Sequence, residues 1–109
     1  MKQPIISAKC KRVRAFYRHL RKVLPTEKPT RLIFADRLED GWRGGTQECD
    51  NTFVIALDVH QSTSELMNAL FDEYAHALAW TPNVAHSNAW GTALARITRA
   101  WEKYDIKRK

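Results

Sequence analysis

The side chains with the clearest capacity for chemistry lie in one short segment, Asp-Glu-Tyr-Ala-His at residues 72–76. On an α-helix, Asp72 and His76 project from the same face, one turn from each other. Two ligands at this spacing can bind one metal ion without straining the backbone. Glu73 lies on the flank of that face, where it can reach a metal-bound water and act as a general base. The segment therefore predicts a metal ion with a carboxylate base beside it.

A third ligand is needed, and His86 is the best-placed candidate. It follows His76 by ten residues, after a turn containing Pro82 that can fold the chain back. Two histidines and one carboxylate leave a coordination position open for water, as catalytic zinc sites do. The same donors also suit iron or manganese. We therefore expect Asp72, His76 and His86 to bind zinc, with manganese and iron as alternatives.

The setting of these residues favours a functional site. A D-E-x-x-H string is common on amphipathic helices, and by itself it indicates only a surface or core-edge pattern. Here the polar side chains lie in a strongly apolar helix, where burying them is costly unless they are satisfied. The surrounding apolar residues are Leu70, Phe71, Tyr74, Ala75, Ala77 and Leu78.

Three helices and two strands are predicted around this segment, which gives an α+β fold. Helical spacing of apolar residues predicts a first helix over 8–24, with Ser7 as N-cap and Pro25 ending it. Apolar and β-branched runs predict strands at 31–38 and 52–59. Between them, Gly41, Gly44 and Gly45 predict a turn-rich segment. A capping box, Ser62 with Glu65, begins the metal-binding helix, which extends to about residue 80. A C-terminal helix follows over about 87–104.

The overall composition predicts one cytoplasmic domain over residues 1–109. No apolar run approaches the roughly 20 residues that a membrane span needs, and the first residues carry no secretory signal. We therefore expect no membrane partner. Cys10 and Cys49 lie outside any CxxC pattern, which favours two unpaired thiols over a disulfide.

The net charge of +6 is concentrated at the N-terminus, where no acidic residue precedes Glu27. Such a patch attracts nucleic-acid phosphates or acidic protein surfaces, although a solvated helix face explains it equally well. His19 lies on this basic face and needs no role. His60 follows a strand and is more simply a loop histidine than a ligand. The candidate partner-binding residues are Lys11, Arg14, Arg18, Arg21 and Lys22.

The segment at 72–80, DEYAHALAW, followed by HSNAWG at 86–91 and ALAR at 93–96, resembles the small phage-type and SprT-like zincin metallopeptidases. In that family a helix reads H-E-x-x-H-A-L-x-W, and a later segment reads H-x-x-x-W-G before an Ala/Arg-rich helix. The resemblance covers roughly the C-terminal 60 residues, and the N-terminal half only by the order of its elements. It implies a minimal zincin-like domain, with His76 and His86 as metal ligands and Glu73 as the catalytic base.

By this resemblance the chain is a metallopeptidase acting on a peptide or protein, located in the host bacterial cytoplasm if it is phage-encoded. Asp72 departs from the family pattern, because it stands where the first histidine is expected. Its side chain is shorter, and an anionic ligand weakens the pull of the metal on the pKa of a bound water. Three alternatives stay open: hydrolysis, metal binding without hydrolysis, and a scaffold without metal. An inactive chain would be a binding protein, either a phage counter-defence inhibitor or a nucleic-acid-binding protein using its basic first helix.

Overall fold

The computed structural model describes residues 7–80 and 86–108, which form three α-helices and one three-stranded sheet. This arrangement confirms the predicted α+β class. Among the helices of these two segments, none has the length and apolar character needed to cross a bilayer. In chain order the elements are α1 (Ala8–Val23), β1 (Thr30–Ala35), a 3₁₀ turn (Glu39–Gly41), β2 (Gly44–Cys49), β3 (Thr52–Asp58), α2 (Thr63–Leu78) and α3 (Asn88–Arg108).

The strand β3 lies in the centre of the sheet. It pairs in parallel with β1, placing Leu32 opposite Ile55, and antiparallel with β2, placing Thr46 opposite Ile55. Asp50 and Asn51 adopt positive φ angles of 47° and 66°, which form the two-residue turn of the β2–β3 hairpin. Residues 53, 55 and 57 of β3 are buried and alternate with half-exposed neighbours. One face of β3 therefore packs into the core.

Two strand predictions differ from the structure. The segment expected to be only turn-rich contains β2, because Gly44 and Gly45 pair with β3 through the hairpin despite their low strand propensity. The strand predicted over 31–38 ends at Ala35. Leu38 lies outside the sheet. Its backbone N–H donates to the side chain of Asp58 (3.1 Å) and not to a backbone carbonyl of β3.

The helix starts agree with the sequence. The Ser7 side chain accepts a hydrogen bond from the Cys10 N–H, and the Ser62–Glu65 capping box is complete. α3 extends to Arg108, further than its predicted end. The turn predicted around Pro82, after the metal-binding helix, lies outside the described residues. Cys10 is buried and Cys49 exposed, and both are free thiols, which confirms the expectation of no disulfide.

The core lies between α1, α2 and the inner face of the sheet, and α3 adds Ala93 and Ile97 where it packs against α2 and α1. Tyr74 of α2 is fully buried, and its hydroxyl donates to the Leu24 carbonyl at the end of α1 (2.7 Å). Phe16 of α1 packs edge-on against Trp101 of α3, with ring centroids 4.9 Å apart. α2 is thus held between the sheet and both other helices, and it carries three of the four predicted site residues.

Candidate functional site

Asp72, Glu73 and His76 occupy the second half of α2 and differ in exposure. The Asp72 side chain faces solvent, whereas Glu73 and His76 are partly buried. Glu73 faces β2, and His76 faces the start of α3 through its contact with Trp90. The site therefore lies where the edge strand β2, the helix α2 and the first turn of α3 come together.

The contact between Glu73 and β2 is close. The Thr46 hydroxyl is 2.8 Å from Glu73 Oε1 and 3.0 Å from the Glu73 backbone carbonyl, so one hydroxyl proton is shared between two acceptors. Gly44 lies two residues before Thr46, on the same face of β2, and is also close to Glu73. A Cβ atom at residue 44 would lie 3.0 Å from Glu73 Cγ and 3.1 Å from Leu57 Cδ2. A glycine at this position lets β2 approach α2.

This environment raises the pKa of Glu73 above its ordinary value. Burial is the main cause, because it disfavours the charged carboxylate, and the neighbouring charge of Asp72 adds to it. The Thr46 hydrogen bond and the charge of His86 act in the opposite direction. A carboxyl group with a raised pKa accepts a proton more readily, which is the property that a general base requires.

The structure brings His76 and His86 together, as the sequence predicted. Their ring centroids are 5.3 Å apart and the ring planes are inclined by 21°. Trp90 of α3 lies against both, with its ring centroid 4.0 Å from that of His86 and 5.7 Å from that of His76. Partial burial lowers the pKa of His76, and so does the charge of His86, while Asp72 opposes them. The neutral imidazole, which is the form that binds metals, is therefore favoured.

Trp90 is a site residue that the sequence did not predict. Its indole Nε1 donates a hydrogen bond to the Asp72 carbonyl (3.3 Å), which ties the first turn of α3 to α2. Its backbone N–H is in turn bonded to the Ser87 hydroxyl (3.1 Å). Trp90 thereby places His86 beside His76. The only sequence signal for this role is the position of Trp90 in the HSNAWG segment.

The donor set fits a zinc-type ion in its chemistry. Two imidazoles are adjacent, and the Asp72 carboxylate is close enough to raise the pKa of both Glu73 and His76. Within residues 7–80 and 86–108, no three His, Cys, Asp or Glu side chains are grouped so that they could hold one ion together. Because imidazole lone pairs lie in the ring plane, an ion between the two stacked rings requires one ring to turn. His86 is exposed and has room to do so. The ligand set stays a prediction.

The five predicted partner-binding residues lie along one side of α1. Lys11, Arg18 and Lys22 are exposed. Arg14 is half-buried, with its guanidinium 5.3 Å from the Phe34 ring centroid, and the Arg21 guanidinium is 5.6 Å from that of Tyr17. These two arginines therefore also contribute to packing.

His60 is the other histidine weighed as a ligand. Its Nε2 atom is hydrogen-bonded to Asp36 Oδ1 (3.0 Å), just after the end of β1. Its side chain is 54% exposed. The structure thus places His60 in an exposed loop, as the simpler interpretation had it.

Comparison of the chain with protein-family models, with curated proteins and with solved structures finds no match.

Replacing Gly44 with alanine should disturb the contact between β2 and α2. The new methyl group would press on Glu73 Cγ and Leu57 Cδ2, and we expect a loss of about 1–3 kcal/mol in the free energy of unfolding. Gly45→Ala is the matched control, since its nearest neighbours are Trp42 ring atoms at 3.9 Å and beyond. It should change stability by less than about 0.5 kcal/mol. Urea unfolding of both variants measures this, and equal losses would contradict the close approach at residue 44.

Replacing Thr46 with valine should raise the pKa of Glu73 further. The substitution keeps the side-chain shape but removes the hydroxyl that stabilises the charged carboxylate. The carboxyl carbon resonance of Glu73, followed by NMR across a pH series, reports this pKa directly. Thr52→Val is the control, because Thr52 pairs with Cys49 at the opposite end of β2 from Gly44. An unchanged Glu73 pKa in Thr46→Val would show that the hydrogen bond is not formed in solution.

Proposed function

We propose that this chain is a metal-dependent peptidase of the zincin-like kind. The observation that carries the proposal is the position of Glu73, half-buried with a raised pKa on the helix that also carries His76, beside His86. The resemblance of DEYAHALAW and HSNAWG to the SprT-like metallopeptidases supports the same assignment of roles. Asp72, His76 and His86 are the proposed ligands of a zinc ion, with manganese or iron as alternatives.

A bound ion would supply Lewis-acid chemistry, polarising the scissile carbonyl and lowering the pKa of the attacking water. The residues of the chain perform the remaining tasks. Glu73 accepts the proton of the attacking water, and its burial keeps the carboxyl basic enough to do so. Thr46 holds the Glu73 carboxylate in position through its hydroxyl. Trp90 keeps His86 against His76.

The edge strand β2 supports a peptide as the substrate. Within the described residues β2 pairs only with β3, so its other edge has backbone groups available for an extended segment. Thr46, which contacts Glu73, lies in the middle of β2. An extended peptide paired with this edge would place its backbone carbonyls next to the proposed base.

Asp72 is expected to limit the rate of peptide hydrolysis. As a ligand it would reduce the effective charge of the ion and leave the attacking water less acidic. We therefore expect slow hydrolysis in the natural chain and faster hydrolysis in the Asp72→His variant, which restores the full histidine pair on the helix.

The test compares hydrolysis of unfolded casein by the zinc-loaded chain and by its Glu73→Gln variant. Losing the general base should lower the rate by about 10²–10⁴-fold while zinc binding and the unfolding midpoint stay unchanged. Glu102→Gln is the control, because it removes an exposed carboxylate of α3 without touching the site. It should hydrolyse casein at the natural rate.

Two outcomes would overturn the peptidase proposal. The first is equal hydrolysis by the natural chain and the Glu73→Gln variant, which would assign the activity to a contaminant or another residue. The second is no hydrolysis by either the natural chain or Asp72→His when both bind zinc. The chain would then be a binding protein built on a peptidase-like scaffold.

A further inference from the structure

A cavity of 340 Å³ lies between the end of α1 and the second half of α3, on a different part of α3 from Trp90. We call it the cationic groove. Four of its lining side chains carry or can carry a positive charge, and the others are apolar or aromatic. The lining residues are His19, Val23, Leu24, Arg96, Arg99, Ala100, Lys103 and Tyr104.

Among the described residues, no carboxylate lines the cationic groove. The ion pairs Lys28–Glu48 and Arg43–Glu65 lie elsewhere, and no ion pair given for the described residues involves Arg96, Arg99 or Lys103. Three exposed cations on one helix repel each other, and a bound anion would relieve that repulsion. The charge of the groove therefore favours an anionic ligand.

The spacing of the cations favours a polymer over a single anion. Residues 96, 99 and 103 lie on one face of α3 and, at 1.5 Å per residue, span about 10 Å along the helix axis. Where α3 runs alongside a duplex, one strand rises about 3.4 Å along the duplex axis per phosphate, so about two to three neighbouring phosphates fall within this length. His19 approaches from α1, with its ring centroid 4.9 Å from that of Tyr104.

We propose that the cationic groove binds the sugar-phosphate backbone of a nucleic acid. Arg96, Arg99 and Lys103 neutralise successive phosphates, and His19 provides a hydrogen bond from the other side. The exposed side chains of Arg18 and Lys22 are neighbours of His19 on α1, and they extend the positive surface beyond the groove. The groove does not involve Glu73, His76 or His86, so this inference is independent of the peptidase proposal.

The test measures binding of the full chain to fluorescein-labelled 16-mers, as duplex DNA, single-stranded DNA and single-stranded RNA, between 50 and 300 mM salt. The variant is Arg96→Gln/Lys103→Gln. Losing two phosphate contacts should reduce the slope of log K against log salt by about 2 for the duplex, and by about 1.4 for single strands. At 0.1 M salt the duplex affinity should fall on the order of 50-fold.

The matched control is Arg31→Gln/Arg37→Gln, which removes the same charge from exposed positions on and after β1. It should show the same slope of log K against log salt as the natural chain. Circular dichroism should give equal helix content for both variants. The three probes distinguish binding to duplex DNA from binding to single-stranded DNA or RNA. Binding to any of them supports the proposal if Arg96→Gln/Lys103→Gln weakens that binding and the control does not. Equal weakening by both variants, no binding by the natural chain, or binding of inorganic phosphate alone would overturn it.

Discussion

The contact between β2 and Glu73 is the constraint on which the candidate site depends. Thr46 reaches both the backbone carbonyl and the carboxylate of Glu73, and Gly44 lets the strand approach without a side chain in the way. Because β2 is an edge strand, this contact half-buries a carboxyl group while leaving it next to a surface that a substrate can reach. Burial then raises the Glu73 pKa, so this carboxylate accepts a proton more readily than that of an exposed glutamate.

The opposite side of the site depends on a second contact, between Trp90 and α2. The indole bonds to the Asp72 carbonyl and stacks on His86, so the start of α3 brings a second imidazole to His76. Burial lowers the His76 pKa as it raises that of Glu73, so both groups are held towards their neutral forms. A metal ion would reverse the preference of the carboxylate, because its charge stabilises the anion. A cation bound here would therefore lower the Glu73 pKa again.

Much of this arrangement follows from local sequence rules. The helical spacing in α1, the capping box at Ser62 and the apolar, β-branched run of β3 predicted these elements closely, since each pattern reflects contacts within a few residues. β2 was missed because two glycines and a polar run have little strand propensity, and its pairing comes from the hairpin at Asp50 and Asn51. Thr46 and Glu73 are 27 residues apart, so no local pattern could indicate their hydrogen bond. His19 likewise lines the cationic groove only because α3 packs against α1, which no local pattern could indicate.

Metal content tests the central claim most directly. The chain is purified, dialysed against zinc, passed through a desalting column and weighed by native mass spectrometry beside its His76→Ala variant. Our account predicts one zinc ion per natural chain and none in the variant, with both remaining folded. Zinc-free spectra for both proteins, or equal retention by both, would contradict a metal site built on His76.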